Sequence, residues 1–169
     1  MHLIISCSLN KNSKSKLLAE YAFSLFSEEV KIIDLQDFEL PFCDGDSCYN
    51  YPIVKELKDQ IINAKSIIVA SPIYNYDLNA ATKNLIELTG RSWTEKVVGV
   101  LAAAGGKSSY MSPMSFFNNM MLDFRCIIIP RFVYADRDCF LDENEIDKDT
   151  KQRIEDLVSL CTRLSNSLL

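Results

Sequence analysis

The sequence contains a single histidine, His2, and its six cysteines show no spacing that is typical of a metal site. The two closest cysteines, Cys43 and Cys48, are five positions apart. Six cysteines in 169 residues are also too few for a small secreted scaffold that depends on disulfides. We therefore expect no metal site, free thiols and a cytoplasmic location. The cysteines stand at positions 7, 43, 48, 126, 139 and 161.

Long apolar runs and a surplus of basic residues are absent as well. The longest apolar runs, residues 67–70 and 97–104, are much too short to cross a bilayer. No basic region precedes the apolar residues 1–7, so we expect neither a membrane span nor a secretory signal. The net charge of −5 gives no support for a nucleic acid partner. Hydrophobic residues make up 48% of the sequence, and its composition and length predict a packed core and one domain over residues 1–169.

Short β-branched runs alternate along the chain with segments in which apolar residues recur at helical spacing. This alternation predicts an α/β three-layer sandwich, with a five-stranded parallel sheet of order 2-1-3-4-5 and helices on both faces. Pro130 falls inside the last apolar run, which indicates an edge strand or a local irregularity. The predicted strands are residues 2–7, 30–35, 66–70, 97–103 and 127–133, the predicted helices begin near 13, 53, 78, 109 and 148, and the long loops are 38–51 and 134–147.

The loop after the first predicted strand, residues 8–15, consists mainly of Ser and Asn and leads directly into a helix. In an open α/β sheet, ligands bind beyond the carboxyl ends of the strands, where the strand order reverses. Hydroxyl groups and free N–H groups at a helix N-terminus suit an anionic phosphate, and Lys11, Lys14 and Lys16 add positive charge. The same loop is also compatible with an ordinary helix cap followed by a solvated turn.

Two other phosphate loops are excluded at this position. The dinucleotide fingerprint G-x-G-x-x-G is absent, because residues 8–15 include no glycine. A C-x5-R phosphatase motif that starts at Cys7 would need arginine at position 13, where the chain has Ser13. We therefore expect Cys7 to be a small buried residue and not a nucleophile.

The loops after the third and fourth predicted strands carry aromatic residues and glycine. Pro72 fixes the backbone direction as the chain leaves the sheet, and Tyr74 and Tyr76 offer flat surfaces to an aromatic ligand. Gly105 and Gly106 allow a backbone to approach a planar ring closely. Each feature has a plainer interpretation, namely loop aromatics that pack on neighbouring helices and a simple Gly-Gly turn.

Taken together, these loops resemble the NADPH-dependent FMN reductase family of flavodoxin-like proteins. The family pattern G-S-x-R-x-x-S-x-N is matched at residues 7–15, where Ser8 and Ser13 are kept. The more specific pattern T-P-x-Y-N-x-S-x-P-G-x-L-K-N is matched by residues 71–75 and, in register, by Lys83 and Asn84. The glycine pair also stands at the corresponding place, and the similarity covers roughly residues 2–125.

The resemblance implies an FMN site that is formed by three loops. Ser8, Ser13 and Ser15 would hold the FMN phosphate, with Asn10 close to it. The isoalloxazine ring and ribityl chain would be bordered by the loop after the third strand, and the pyrimidine side of the ring by the loop after the fourth. The residues implied for these two loops are Pro72, Ile73, Tyr74 and Asn75, and then Gly105, Gly106 and Lys107.

The resemblance also implies the reaction. FMN would take a hydride from NAD(P)H and pass electrons to a small acceptor, such as a flavin, a quinone, an azo compound or a metal oxyanion. No protein residue needs to act as acid, base or nucleophile in the hydride step, so we assign no catalytic residue. Two alternatives stay open at this point, an electron carrier of the flavodoxin type and a flavin-free binding or regulatory member of the fold.

The sequence departs from the family pattern in the loops themselves. Cys7 stands in place of a glycine, Asn10 in place of a frequent arginine, and Tyr76 in place of a small residue. Asn79 and Ala80 replace a Pro-Gly pair. We expect the Tyr76 ring to cover one face of the flavin.

Family members usually form dimers or tetramers, and the resemblance implies that the helix with Lys83 and Asn84 contributes to the interface. The Met-rich segment 111–121 is predicted to contribute to the core and to a subunit interface, or alternatively to line an acceptor pocket.

Overall fold

Seven strands form the central sheet of the computed structural model, which describes residues 1–142 and 145–168. The main path of the sheet pairs β1 with β2 and β3, and β3 with β5, all in parallel. The sheet consists of β1 (His2–Ser6), β2 (Val30–Asp34), β3 (Ser66–Tyr74), β4 (Asp77–Leu78), β5 (Val97–Ala103), β6 (Ile127–Ile128) and β7 (Val133–Ala135). Its order is β2-β1-β3-β5-β6, with β4 beside β3 and β7 beside β5.

The helices cover the two faces of this sheet in separate groups. Alternate residues of β1 point to opposite faces, as the pleat requires, so that Leu3 and Ile5 belong to one core and Ile4 to the other. One core is closed by α2, α3 and α4, and the other by α1 and α5. The helices are α1 (Lys14–Ser24), α2 (Pro52–Asn63), α3 (Ala80–Thr89), α4 (Met114–Leu122) and α5 (Lys148–Ser167).

The predicted α/β three-layer fold and its strand order are confirmed, but the predicted count of five strands is wrong. The last predicted strand is divided into β6 and β7 around Pro130, which has no N–H to donate to a neighbouring strand. Arg131 follows with a φ of 59°, which turns the chain before it rejoins β5 at Val133. Both pieces lie at the edge of the sheet, as the position of the proline predicts.

The other additional strand arises because β3 does not end at Ala70. It continues through Pro72 to Tyr74 and folds back as β4, in which Leu78 pairs with Ile73. Helix α3 consequently begins at Ala80, two residues after the predicted start. Helix α4 begins at Met114 instead of near 109, because a short 3-10 turn at 107–109 precedes it.

The two predicted loops also contain short elements. The 38–51 segment holds a 3-10 turn at Ser47–Asn50. The 134–147 segment contains a two-stranded hairpin, β8 (Phe140–Asp142) with β9 (Glu145–Ile146), and is therefore more than a solvated connection. Residues 143 and 144 of that segment lie outside the described residues. None of the helices in the described ranges is long and apolar enough to span a membrane.

Two neighbouring isoleucines of α2 allow the contribution of the core to be measured. Ile61 is completely buried, whereas Ile62 is 54% exposed. Ile61→Ala should lower the free energy of unfolding by about 2–5 kcal/mol, because it removes buried methyl groups and leaves a cavity. Ile62→Ala is the matched control and should change it by about 0.5 kcal/mol or less. Urea denaturation followed by circular dichroism would measure both values, and equal losses would contradict the packing described for α2.

Candidate functional site

The site lies at the edge of the sheet where β1 and β5 end on either side of β3, which continues from there into the β3–β4 hairpin. Ser6 pairs with Ala70, and Ala70 pairs with Leu101, so the three following segments leave the sheet next to one another. The Cys7 N–H continues this pairing by donating to the Ala70 carbonyl at 2.8 Å. Sequence reasoning nominated these segments, and the structure brings them together.

The first segment is a serine-lined turn that opens helix α1. Ser13 caps the helix, since its hydroxyl accepts a hydrogen bond from the Lys16 N–H at 3.1 Å. The Ser13 and Ser15 hydroxyls lie 3.0 Å apart, and the Ser8 hydroxyl accepts from the Asn10 N–H at 3.2 Å. The first turn of α1 contains no acidic residue. A helix N-terminus with hydroxyl groups and without carboxylates favours a bound anion.

The three serines and Asn10 occupy different depths in this turn. Ser8 and Ser15 are each 1% exposed, and Ser13 is also buried. Asn10 is exposed, and its side-chain oxygen accepts from the Asn12 N–H at 3.0 Å. All four predicted phosphate residues thus lie within one short segment, with Asn10 at its outer side.

The three lysines predicted to add positive charge are not equivalent. Lys16 forms an ion pair with Asp34 at 2.7 Å, and this hydrogen bond raises the pKa of the lysine above its ordinary value. Lys14 lies with its Nζ 5.2 Å from the centre of the Phe140 ring. Lys11 and these two lysines line a cavity of about 380 Å³ beside the first turn of α1. Ser13 also lines this cavity, so the cavity adjoins the serine turn.

The second segment is the β3–β4 hairpin. Asn75 and Tyr76 form its tip with φ angles of 50° and 69°, and two positive φ values in a two-residue connection are the mark of a type I′ turn. Asn adopts such a conformation readily, but Tyr does so rarely. The Tyr76 hydroxyl donates to the Ser108 carbonyl oxygen, so the hairpin tip reaches across to the third segment. Pro72 is buried, Ile73 is half-buried, and Tyr74 is 53% exposed.

The third segment, after β5, contains the glycine pair. A Cβ atom built on Gly105 or Gly106 would have no atom within 4 Å apart from those of the adjoining residues. The φ of Gly106 is −167°, which any residue can adopt. Neither the packing of the protein nor the backbone conformation at Gly106 requires glycine, so the open space over these two residues is consistent with a ligand that approaches the backbone closely.

Tyr134 of β7 and Arg137 of the 3-10 turn that follows β7 hold this third segment in place. The Tyr134 hydroxyl donates to the Gly106 carbonyl and lies 2.8 Å from the Ser109 hydroxyl. Arg137 donates to the Gly105 carbonyl at 3.2 Å. These positioning residues were not predicted, because nothing in the sequence around positions 134 and 137 relates them to the glycine pair.

Lys107 points toward the 3-10 turn at Arg137–Cys139. It forms an exposed ion pair with Asp138 at 3.0 Å, and this contact raises the pKa of the lysine. Lys107 therefore lies beside the glycine pair in sequence while its charged group is held by Asp138.

The residue that ties the first two segments together is Asn79. Its side-chain amide donates to the Cys7 carbonyl at 2.7 Å, and its side-chain oxygen accepts from the N–H of Thr82 at 3.1 Å and from its hydroxyl at 2.7 Å. The Ser71 hydroxyl lies 3.2 Å from the same oxygen and 2.9 Å from that of Thr82. All these side chains are buried. An Asn directly before a helix is a typical N-cap, so the sequence could have identified the capping role of Asn79 but not its bond to Cys7.

Cys7 is completely buried in this network, and burial raises the pKa of its thiol to about 12. A thiol with that pKa stays protonated at neutral pH and is a poor nucleophile. The prediction that Cys7 is a buried residue and not a nucleophile agrees with this placement.

A doubly wound sheet with a serine-lined helix N-terminus and an open glycine pair at its carboxyl edge is typical of a flavodoxin-like α/β protein. The family model described as NADPH-dependent FMN reductase matches residues 2–138, and the chain belongs to that family. The predictions of this family and of an FMN-dependent oxidoreductase that uses NAD(P)H are confirmed.

Individual relatives agree with the family. An NAD(P)H-dependent FAD/FMN reductase of Geobacillus thermodenitrificans strain NG80-2 is 29% identical over 133 residues, which are 76% of this chain and 71% of the relative. An NADPH azoreductase of Bacillus sp. strain OY1-2 is 26% identical over 158 residues, 92% and 87% of the two chains. The flavoenzyme FerB, an NAD(P)H:(acceptor) oxidoreductase of Paracoccus denitrificans, superposes with a TM-score of 0.80 at 19% identity, over 98% of this chain and 96% of that one, and shows the shared fold.

The Asn79 network makes a prediction for stability. Asn79→Ala removes both the donor to Cys7 and the cap of α3, and should lower the free energy of unfolding by about 2–4 kcal/mol. Asn79→Ser keeps a capping hydroxyl and should recover about 1 kcal/mol of that loss.

Asn63 on α2 is exposed, and Asn63→Ala is the matched control, with an expected change of about 0.5 kcal/mol or less. Chemical denaturation of the four proteins would measure these values. If Asn79→Ala were as stable as Asn63→Ala, the buried amide would not be holding the two segments together.

Proposed function

We propose that the protein holds FMN between the three segments and passes electrons from NAD(P)H to a small acceptor, such as a flavin, a quinone, an azo compound or a metal oxyanion. The observation that carries this assignment of residues is the open space over Gly105 and Gly106, next to a serine-lined helix N-terminus. The named relatives act on flavins and azo compounds, which supports acceptors of this size.

The phosphate of FMN would lie at the N-terminus of α1. The Ser8, Ser13 and Ser15 hydroxyls can donate to its oxygens, and the N–H groups of the first helical turn point toward the same place. Asn10 at the outer side can add its side-chain amide, since its side-chain oxygen is already used by the Asn12 N–H.

The ring would lie between the β3–β4 hairpin and the glycine pair. Pro72, Ile73, Tyr74 and Asn75 would border the ring and the ribityl chain, and Gly105, Gly106 and Lys107 the pyrimidine side. The Tyr76 side chain connects these two borders through its bond to Ser108, so it would cover part of one ring face. An acceptor and a nicotinamide would then both bind at the part of the ring that Tyr76 leaves uncovered.

When bound, FMN supplies the redox chemistry itself, as the centre that receives a hydride and returns electrons. The chain supplies binding and orientation. The Asn79 network fixes the segment that carries the serines relative to the hairpin, and Tyr134 and Arg137 fix the glycine pair. Backbone N–H groups at the glycine pair would stabilise negative charge on the pyrimidine side.

We further propose a homodimer or homotetramer that forms through α4 and the segment before it. Phe116, Phe117 and Met120 of α4 pack into the core, whereas Met111, Met114, Met121 and Leu122 are 38–76% exposed. Such a cluster of exposed apolar side chains is typical of a contact surface. Residues 1–169 would form one FMN-binding domain that acts in the cytoplasm. Sedimentation analysis would measure the assembly.

The direct test of the function is spectroscopic. The purified protein would be mixed with FMN, freed of excess flavin and examined for flavin absorption, and then reduced anaerobically with NADH or NADPH. Retained flavin that is bleached by a nicotinamide supports the proposal. Retained flavin that no nicotinamide bleaches would favour an electron carrier, and a protein that retains none would favour a flavin-free member of the fold.

The phosphate assignment predicts a selective effect of Asn10→Asp. This change keeps the oxygen that accepts from Asn12 but adds a negative charge beside the helix N-terminus. The dissociation constant for FMN should rise about fivefold, equivalent to about 1 kcal/mol, and less so at high salt.

Riboflavin, which lacks the phosphate, should bind both proteins equally, and Asn63→Asp at the end of α2, at the opposite edge of the sheet, should change the affinity for neither ligand. Fluorescence titration would measure all these constants. A loss of affinity that is the same for FMN and riboflavin would contradict a phosphate site at Asn10.

The ring assignment predicts that Gly106→Val weakens FMN binding without weakening the protein. The new side chain would meet no protein atom close to its Cβ, so the melting temperature of the flavin-free protein should change by no more than about 2 °C. The same side chain would occupy the space proposed for the ring, and the dissociation constant for FMN should rise at least about tenfold, or about 1.4 kcal/mol. Unchanged affinity in this variant would place the ring elsewhere.

A further inference from the structure

A second chemically distinct place lies in the 38–51 segment, where Cys43 and Cys48 approach each other. Their Sγ atoms are 3.8 Å apart. Cys48 is 1% exposed and packs with Val54 and Leu88, whereas Cys43 is half-buried and so open to small molecules. A disulfide bond is about 2 Å long, so the two sulfurs are in contact but not bonded, and side-chain rotation within the short loop would have to close the remaining distance.

One carboxylate shapes the chain between the two cysteines. An oxygen of Asp44 accepts from the N–H groups of Asp46 at 2.9 Å and Cys48 at 3.0 Å, and its other oxygen accepts from the Ser47 hydroxyl at 2.6 Å. These bonds hold the pKa of Asp44 well below its ordinary value. The Asp44 carboxylate therefore stays charged at neutral pH and closes the turn. The closed turn keeps the two thiols together.

The turn is also anchored to the body of the protein. The Cys43 N–H donates to the side-chain oxygen of Asn84 at 2.9 Å, and the Asn84 amide donates to the Pro41 carbonyl at 2.9 Å. Asn84 lies in α3, so these two bonds hold the chain at Pro41 and Cys43 against that helix. The contact between the sulfurs is thus part of a defined local structure.

The surroundings make the two thiols different from each other. The Tyr49 hydroxyl lies 3.5 Å from the Cys43 sulfur, and its hydrogen bond is the main cause that lowers the pKa of Cys43. Burial raises the pKa of Cys48. A more acidic, accessible thiol next to a protonated, buried one is the arrangement of an attacking and a resolving cysteine.

None of the other four cysteines, all of which lie among the described residues, combines accessibility, a lowered thiol pKa and a neighbouring buried thiol. Cys7, Cys126 and Cys161 are buried, and burial raises the pKa of their thiols to about 12, 11 and 12. Cys139 is half-buried, so it is accessible, and its sulfur lies 3.9 Å from an Asp136 carboxylate oxygen. Cys139 therefore offers a control for simple accessibility.

We propose that Cys43 and Cys48 form a dithiol that a hydroperoxide, as substrate, oxidises to a disulfide. The Cys43 thiolate attacks the terminal oxygen of the peroxide, the O–O bond breaks, and the alkoxide or hydroxide leaves and takes up a proton. The Cys48 sulfur then attacks the sulfenic sulfur of Cys43, and water leaves as the S–S bond forms. The two thiols lose two electrons and two hydrogens, and the peroxide is reduced to water and an alcohol, or to two waters.

The test is a mass measurement that needs neither flavin nor nicotinamide. Trypsin releases residues 32–55 as one peptide, which contains Cys43 and Cys48 and no other cysteine. The native protein would be treated with hydrogen peroxide, alkylated, and digested. The peptide should be unalkylated and two hydrogens lighter than the dithiol form, and dithiothreitol given before alkylation should restore two alkylated cysteines.

Variants separate the roles of the two thiols. In Cys48→Ser, dimedone should capture a sulfenic acid at Cys43, and in Cys43→Ser, Cys48 should stay a free thiol. Cys139→Ser should leave disulfide formation unchanged. In the untreated protein, the alkylation rate of Cys43 should reach half its maximum at a lower pH than in the denatured protein, because the Tyr49 hydroxyl lowers the pKa of this thiol.

Two results would overturn the proposal. One is a 32–55 peptide that still carries two alkyl groups after a peroxide treatment that oxidises Cys139. The other is a disulfide from Cys43 or Cys48 to a third cysteine in place of the bond between them. Circular dichroism of each variant would show that its fold is intact.

Discussion

The buried amide of Asn79 is the contact on which the geometry of the candidate site depends. β1 and β3 are neighbours in the sheet, but their continuations are free to diverge once the ladder of hydrogen bonds ends. Asn79 prevents this by donating to the Cys7 carbonyl while its oxygen caps α3 through Thr82. A buried amide that lost one of these partners would leave an unsatisfied polar group, which costs about 1–3 kcal/mol. The serine turn and the hairpin are therefore held in one relative position.

The hairpin departs from the family pattern at Asn79 and Tyr76, and each of these residues adds a contact. With Asn79 in place of a proline, the side chain offers both a donor and an acceptor. The backbone N–H of Asn79, which a proline would lack, also donates to the Pro72 carbonyl at 3.2 Å. The hairpin closes through Asn75 and Tyr76 at positive φ, a conformation that is costly for tyrosine. Because Tyr76 gains a bond to Ser108 from this position, the tip of the hairpin is linked to the glycine segment.

Local chemistry and periodicity were sufficient to predict the strand order and the three segments of the site. The loop of serines, the Pro-x-Tyr-Asn run and the glycine pair each lie at the end of a parallel strand, where topology brings them together. The predicted strand count was wrong at two prolines. β3 continues through Pro72, where the sequence indicated its end, and folds back as β4, whereas the last predicted strand is divided at Pro130 into β6 and β7. Tyr134 and Arg137 were missed because their contacts to the glycine pair join positions about thirty residues apart.

Helix α3 supports both the candidate site and the thiol pair, and it does so from different sides. Thr82 and Asn84 lie two positions apart, about 200° around the helix axis. Thr82 faces the sheet and the Asn79 network, whereas Asn84 faces the 38–51 segment and holds the chain at Pro41 and Cys43. Since opposite sides of the helix carry the two sets of contacts, a change at Asn84 acts on the thiol turn without removing any hydrogen bond of the Asn79 network. The chemistry of the thiols and the chemistry of the candidate site can for this reason be examined separately in the same protein.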